Sequence, residues 1–547
     1  MKSASAELWR GLVVVAVLVA VQLGASAFYW IPEARTATLL APTGDVVGLV
    51  LIVVAWSFVP RSWSFVDRAI AVALPLFLLL VIAVALGQGL LKREFGQDLV
   101  LVVDVKYVSS LVKLLFDNEP LPRFLLWMLL VLAGLALAVV VTHHGLLRVR
   151  AHLAAAPSRS LALVAGTLVY FAVAAAFAGV RRPVALEAAS QVGLALRWDE
   201  SLQKTARRLD EEAAPQRTLA LPRDGASEAV RPRHIYVFVV ESYGATLFSG
   251  RPGAAADFAA FLAGQQQALA RAGYQTRSTF VSSPVFGSGS WMPDATLLCG
   301  VRIDNQKRFA ALFHSDVRCL PKFLKAGGYR TVLAAANTDG NEPRFARTYA
   351  FDASYFRHDF DYAGPRFGWS FMPDQFVIGF VHEREVVPHR RDPLFLEMVL
   401  TSSHVPWSVV PPMVGWAEMG DGRIFDEQQP QRFGNFLLSG GEYEAGYLAS
   451  IEYSLAAVTG YLERLPADDS SLAIVLGDHQ PRNPIADRFA DPWWVPVHLL
   501  ARDPRTVEAF ASLGFVDGLV PVAPAKGAPG MERLMPALLR ATGARAP

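Results

Sequence analysis

The chain has 547 residues, of which 53% are hydrophobic and only 18% charged. Ordinary soluble chains carry about 25% charged residues, so disordered, collagen-like and coiled-coil classes are excluded and one soluble domain is disfavoured. The 51 Lys and Arg against 49 Asp and Glu leave a net charge of +2, too little to draw the protein to nucleic acid, and two cysteines exclude a disulfide-rich scaffold or a thiolate zinc cluster.

The hydrophobic excess is concentrated in the first third, in five runs: Gly11–Trp30, Val46–Pro60, Ala69–Leu91 (containing Pro75), Phe124–Val141 and Leu161–Val180. Crossing a bilayer takes roughly 17–20 apolar residues, which four runs supply; the run 46–60 crosses only with its flanks. Five nearly chargeless runs exceed what a soluble core offers, so residues 1–182 read as a transmembrane domain of about five helices. The length of the first run, and the four that follow it, favour an anchor over a cleaved signal peptide. Basic residues are nearly balanced between the two sides: Lys2, Arg10, Arg61, Arg68, Arg148, Arg150 and Arg159 against Arg35, Lys92, Arg93, Lys106, Lys113 and Arg123. With the N-terminus cytoplasmic, an odd number of spans puts everything after Val180 outside. The expectation is a multi-pass protein of the cell (inner) membrane with a periplasmic or extracellular C-terminal part. Leu99–Phe116, apolar with Asp104, Lys106 and Lys113 interspersed, reads as a segment lying on the membrane.

Residues 183–232 are polar and rich in Ala, Arg and Glu. They read as a juxtamembrane helix over about 184–212 and a loop marked by Pro215, Pro222, Gly225 and Pro232, which together make a linker.

From 233 to 547 the pattern changes to short apolar strands between helices. Strands are expected at Ile235–Val240, Tyr329–Ala336, Leu394–Leu400, Ser471–Leu476 and Val495–Leu500, with helices at Ala256–Ala272 and Gly446–Leu465. Such alternation predicts an α/β domain with a mostly parallel sheet, and ligands of such sheets bind at the carboxyl ends of strands.

Four elements stand at those ends. Glu241 follows the first strand. Asp478 and His479 follow the strand 471–476 and offer a hard oxygen and an imidazole to a divalent metal. Ser290 closes the turn Gly287-Ser288-Gly289-Ser290 where a helix begins. A serine there is ordinarily an N-cap, but a helix N-terminus also holds anions, and a metal-bound serine becomes a nucleophile. His404, in Thr401-Ser402-Ser403-His404, follows the strand 394–400 and is placed to meet a phosphate oxygen or protonate a leaving alkoxide.

These elements, in this order, resemble the lipoteichoic acid synthase-like family of membrane phosphoglycerol transferases: five-span proteins with an extracellular sulfatase-like domain of the alkaline phosphatase superfamily. The resemblance covers nearly the whole chain. It implies that Glu241, Ser290, Asp478 and His479 hold one Mn2+, with Zn2+ and Mg2+ as alternatives, and that His404 contacts the substrate phosphate. Ser290 stands where the family has threonine, and Ser288, two residues away, is the alternative register. The family's tryptophan and arginine that grip glycerol phosphate have no plain match; residues 337–351 offer Arg344 and Arg347 without a tryptophan.

The expected reaction is transfer of a phospholipid headgroup phosphate, phosphoglycerol from phosphatidylglycerol, through a phosphoryl-serine to a glycan or lipid acceptor. Hydrolysis at the same site is the alternative, and a non-catalytic membrane regulator is the second, disfavoured because all four ligands are present. Cys299 and Cys319 are expected to be bridged in an oxidising compartment.

Overall fold

In a computed structural model the residues described are 44–105 (except 61), 108, 112, 121–178, 187–219, 232–249, 252–340, 343–433, 440–508 and 510–544. The chain divides into two compact units, Met1–Ser201 and Leu202–Pro547.

The described part of the first unit is helical: α1 (Gly44–Ser57), α2 (Ser64–Phe95), α3 (Leu121–Ala154), α4 (Pro157–Ala178) and α5 (Glu187–Leu196). Among the described residues, two helices, α2 and α3, are long and apolar enough to cross a membrane. The five spans expected are therefore met in part. The run 46–60 forms the 14-residue α1, the run 161–180 lies in the 22-residue α4, and the run 11–30 falls outside the described residues. Polar groups near the ends of α1, α2 and α3 pair with one another. Asp67 of α2 accepts the Trp56 indole N–H at 2.9 Å and pairs with Arg150 of α3 at 2.7 Å. Of the expected interfacial segment, Leu101–Asp104 is helical, and the Gln191 side chain of α5 bonds both Leu99 O (2.9 Å) and Leu101 N (3.2 Å).

The expected linker helix is two helices, broken at Arg197: α5 and α6 (Trp198–Glu212). From Leu202 onward α6 belongs to the second unit. Its Leu202, Ala206 and Leu209 are buried, and Glu212 forks onto Arg308.

The second unit is built on an eight-stranded sheet in the order β10-β2-β9-β8-β1-β5-β3-β4. The strands are β1 (His234–Val240), β2 (Gln275–Ser282), β3 (Arg330–Ala335), β4 (Ala353–Phe356), β5 (Leu394–Leu400), β8 (Ser471–Gly477), β9 (Trp494–Ala501) and β10 (Val516–Asp517); β6 (Val409–Val410) and β7 (Gln431–Arg432) form a separate pair. Strands β8, β1, β5, β3 and β4 are parallel, whereas β9, β2 and β10 run antiparallel to their neighbours. The sheet is thus mostly parallel, as expected, with an antiparallel side built around β2 that the strand pattern did not reveal. β1 and β8 are buried at every position, which is why they read as continuous apolar runs. Helices pack on both faces, among them α7 (Pro252–Arg271), α8 (Trp291–Cys299), α9 (Asp374–Val381) and α10 (Gly440–Arg464). The expected face of α10 (Tyr447, Ile451, Leu455, Val458 and Leu462) is buried in the core. A Cys299–Cys319 disulfide joins the end of α8 to the start of the following helix.

Strand register sets the site. Val240 of β1 pairs with both Leu400 of β5 and Gly477 of β8, so the three central strands end level. The residues that follow them, Glu241, Thr401 and Asp478, therefore share one rim.

Candidate metal centre and active site

Each central strand delivers one part of the cluster. Glu241 leaves β1 directly before Ser242, which adopts a left-handed φ of 59°. That turn aims the Ser242 N–H at Asp478 Oδ1 (2.7 Å) and its hydroxyl at Glu241 Oε1 (3.0 Å). Non-glycine residues rarely take this conformation, and it persists because both contacts and the Tyr447 hydroxyl on Ser242 O hold it. Gly477 lets the ends of β1 and β8 approach: a Cβ there would sit 1.8 Å from Tyr243 O.

His479 donates from Nδ1 to its neighbour Gln480 O at 2.8 Å, which leaves Nε2 facing the carboxylates. Nε2 lies 3.5 Å from Glu241 Oε1 and 3.3 Å from Asp478 Oδ2. One ligand atom each from Glu241, Asp478 and His479 fall within 4.8 Å of one another, and all three residues are buried. Asp478 Oδ2 is buried with no hydrogen-bond partner. A buried carboxylate oxygen without a hydrogen-bond partner, beside an imidazole nitrogen, is costly in a bare protein and fits a bound divalent cation. These residues could hold one.

Ser290 completes the group. Gly287 and Gly289 take positive φ values of 71° and 85°, a turn that side-chain-bearing residues would resist. The turn brings Ser290 to the head of α8 in helical geometry, where its hydroxyl makes no capping bond. Instead Ser290 Oγ donates to Glu241 Oε2 at 2.9 Å and lies 3.3 Å from His479 Nε2. The N-cap role open on sequence is therefore not the one taken. Ser290 is half-buried, so its oxygen is reachable while the three acid and imidazole groups are not exposed.

The charges are interdependent. Burial pushes the Glu241 carboxyl up, but His404, His479 and the Ser290 and Ser242 hydroxyls together hold it below its usual range. Asp478 is driven up to about 7 by burial and by the Glu241 charge. Burial disfavours a charged His479, yet the Asp478 and Glu241 carboxylates outweigh it and raise its pKa. The cluster thus holds protons in the absence of a cation and gives them up to one.

His404 stands beside this group, close enough for its charge to act on Glu241. Its Nδ1 bonds Val405 O at 2.7 Å, and Trp369 stacks on its ring at 5.5 Å and 15°. The loop carrying it is clamped. Asp374 Oδ1 accepts from Thr401 N (2.7 Å) and Ser402 N (2.9 Å), Oδ2 accepts from Ser454 Oγ (2.6 Å), and the Asp374 N–H donates to Ser402 Oγ (2.9 Å). Ser403 Oγ then donates to Glu241 O at 2.6 Å, tying the loop to the first strand.

The structure thus brings Glu241, Ser290, Asp478 and His479 together with His404 alongside. Arg347 instead donates to Phe313 O at 3.0 Å, and the Arg344 side chain lies outside the described residues. Trp369 and Asp374 were missed on sequence. Trp369 is 35 positions from His404, and the only local signal was an aromatic after Arg366-Phe367-Gly368.

No family model matches the chain, and no curated protein matches it. The chain is similar in structure to the lipoteichoic acid synthase LtaP from Listeria monocytogenes, at 13% identity and a TM-score of 0.39, over 62% of this chain and 78% of that one. It is also similar to the C-terminal periplasmic domain of EcEptC from Escherichia coli in complex with zinc (14% identity, TM-score 0.38, 60% of this chain and 87% of that one). A third is the Streptococcus pyogenes phosphoglycerol transferase GacH in complex with sn-glycerol-1-phosphate (12% identity, TM-score 0.37, 62% and 91%).

Proposed function

We propose that the protein is a metal-dependent phosphotransferase of the sulfatase and alkaline phosphatase type. It moves a phospholipid headgroup phosphate, phosphoglycerol from phosphatidylglycerol, to a glycan or lipid acceptor at the outer face of the cytoplasmic membrane. The observation that carries this reading is Ser290 Oγ, a half-buried hydroxyl held on Glu241 and next to His479 rather than capping its helix.

Glu241, Asp478, His479 and Ser290 would hold a divalent cation, Mn2+ by resemblance, with Zn2+ and Mg2+ accepting the same donors. When bound, it supplies Lewis-acid chemistry that favours the serine alkoxide. Ser290 Oγ attacks the phosphorus, the bond to the diacylglycerol oxygen breaks, and a phosphoryl-serine diester remains. The Ser290 proton leaves through Glu241 Oε2, its hydrogen-bond acceptor. His404 holds a non-bridging oxygen or returns a proton to the departing alkoxide, with Trp369 fixing its ring plane. Arg344 is the guanidinium candidate for the remaining oxygens, Arg347 being engaged on Phe313 O. An acceptor hydroxyl then displaces Ser290 and regenerates the site.

The apolar helices α2 and α3 support a membrane anchor, since α3 exposes Leu125, Leu129, Val131, Leu135 and Val141, a surface that lipid would cover. The disulfide supports an oxidising compartment for the second unit.

The test is intact-mass spectrometry of the full chain in detergent with Mn2+ and phosphatidylglycerol. A gain of one glycerol phosphate mapped to Ser290 supports the transferase reading. Steady release of glycerol phosphate with water as acceptor makes the protein a hydrolase. Neither adduct nor release, with phosphatidylethanolamine tried as well, refutes the proposal.

A further inference from the structure

At the opposite end of α9 from Asp374 the helix passes into a π-helical turn, His382–Val386. Val386 lies 12 positions beyond Asp374, roughly 18 Å at about 1.5 Å per residue, on the side of the domain away from the strand ends that carry the metal cluster. Glu385 in that turn bonds Arg330, the first residue of β3, which places it at the amino ends of the strands. π-helical turns are rare, pack their hydrogen bonds poorly and cluster at functional sites.

The turn walls a cavity of about 470 Å³, within the range of small-molecule sites. Its aromatic walls are Phe376, Phe380, Trp416 and Tyr461, and its polar side chains are His382, Glu383, Arg384 and Arg464. Both guanidiniums are held on rings: Arg464 lies over Trp416 at 5.7 Å and Arg384 over Phe380 at 5.4 Å. Among the described residues the carboxylate paired with Arg384 is the exposed Asp361, at 3.5 Å, and no carboxylate pairs with Arg464. Arginines stacked on aromatics lose little freedom on binding, and their fork matches a phosphate or carboxylate. His382 is neutral: burial holds its pKa down against the pull of Glu383, and its Nδ1 is tied to the Tyr461 hydroxyl at 3.2 Å. The cavity therefore keeps a net positive charge, two guanidiniums against the Glu383 carboxylate, beside ring faces and a neutral hydrogen-bonding imidazole; the arginines suit an oxyanion, and the rings, the imidazole and the carboxylate suit the faces and hydroxyls of a sugar ring.

We propose that this cavity is a second binding site, for a phosphate-bearing sugar, on the far end of the sheet from the metal cluster. The site does not depend on the proposed reaction, because it shares no residue with it.

The test is isothermal titration calorimetry of the full chain in detergent with glucose 1-phosphate, inorganic phosphate and glucose. The sugar phosphate is expected to saturate one site, and each half-ligand to bind at least about tenfold more weakly. Arg464→Gln and, separately, Arg384→Gln should each weaken the sugar phosphate at least about tenfold, while His404→Ala leaves its affinity unchanged. Absence of saturable heat overturns the proposal. So does binding that survives both arginine variants but is lost in His404→Ala, since the ligand then sits at the metal cluster.

Discussion

Ser290 Oγ and Glu241 Oε2 are 2.9 Å apart although 49 positions separate the two residues in the chain. The bond joins the end of a central strand to the first turn of a helix, and it takes the hydroxyl out of the capping role that its position invites. A serine used only to start a helix has no reason to face a buried carboxylate.

Replacing Ser290 with alanine is expected to lower headgroup release by at least about 10³-fold and to remove the covalent adduct, because the nucleophile has no substitute in the cluster. Ser290→Thr keeps the hydroxyl and should retain the adduct. Ser288→Ala should be nearly silent, since Ser288 makes none of these contacts. Rapid-quench assays with mass mapping check all three; an adduct persisting in Ser290→Ala would remove the assignment.

Cation binding should release protons. Burial and the Glu241 charge push the Asp478 pKa up to about 7, and the two carboxylates raise that of His479, so a metal would compete with protons at both groups. Affinity is therefore expected to rise with pH through about 6 to 8. Calorimetric titrations of Mn2+ in buffers of different ionisation enthalpy would measure the protons released. Asp478→Asn should lose the metal and with it this pH dependence.

Asp374 is expected to act on His404 at a distance. Asparagine at 374 replaces one acceptor oxygen by a donor that faces the Ser454 hydroxyl or the Thr401 and Ser402 amides. Each buried group left unpaired costs about 1–3 kcal/mol. Asp374→Asn should keep its metal content yet lose about 10- to 100-fold in kcat/KM as the His404 loop shifts. Ser454→Ala, which removes only one of the bonds, should lose less. Equal losses in both variants, or loss of metal in Asp374→Asn, would contradict the positioning role.

Glu397 supplies a stability prediction. It lies in the middle of β5, 1% exposed, and neither carboxylate oxygen has a hydrogen-bond partner. Burial pushes its pKa up to about 8, against about 4.3 for an unfolded chain. A raised acid pKa means the folded state keeps the proton. Its contribution is complete below about pH 4 and is lost as the pH rises to about 8, by an amount on the order of 5 kcal/mol. Glu397→Gln cannot ionise, so its melting temperature should overtake that of the parent increasingly between pH 5 and 8. Parallel melting curves across that range would show that Glu397 is not the cause.

The sequence by itself determined the pieces whose causes are local. Long chargeless runs are set by the cost of burying charge, and α2 and α3 follow from them. Buried parallel strands read as apolar runs because both faces are covered, so β1, β5 and β8 were legible, and so were the residue types that follow them: Glu241, His404, and the Asp478-His479 pair. The tertiary structure decided what depends on residues far apart in the chain. Level strand ends, set by pairing register, bring Glu241 and Asp478 onto one rim. The turn at Gly287 and Gly289 selects Ser290 over Ser288. Trp369 meets His404, and Asp374 holds the His404 loop, only because α9 docks against the end of β5. The antiparallel β2 and β10 stayed hidden because β2 mixes polar and apolar residues (Gln275, Arg277 and Ser278 beside Phe280 and Val281) and β10 is two residues long. Periodicity reports what a residue faces, and pairing with a distant strand or loop leaves no mark on it.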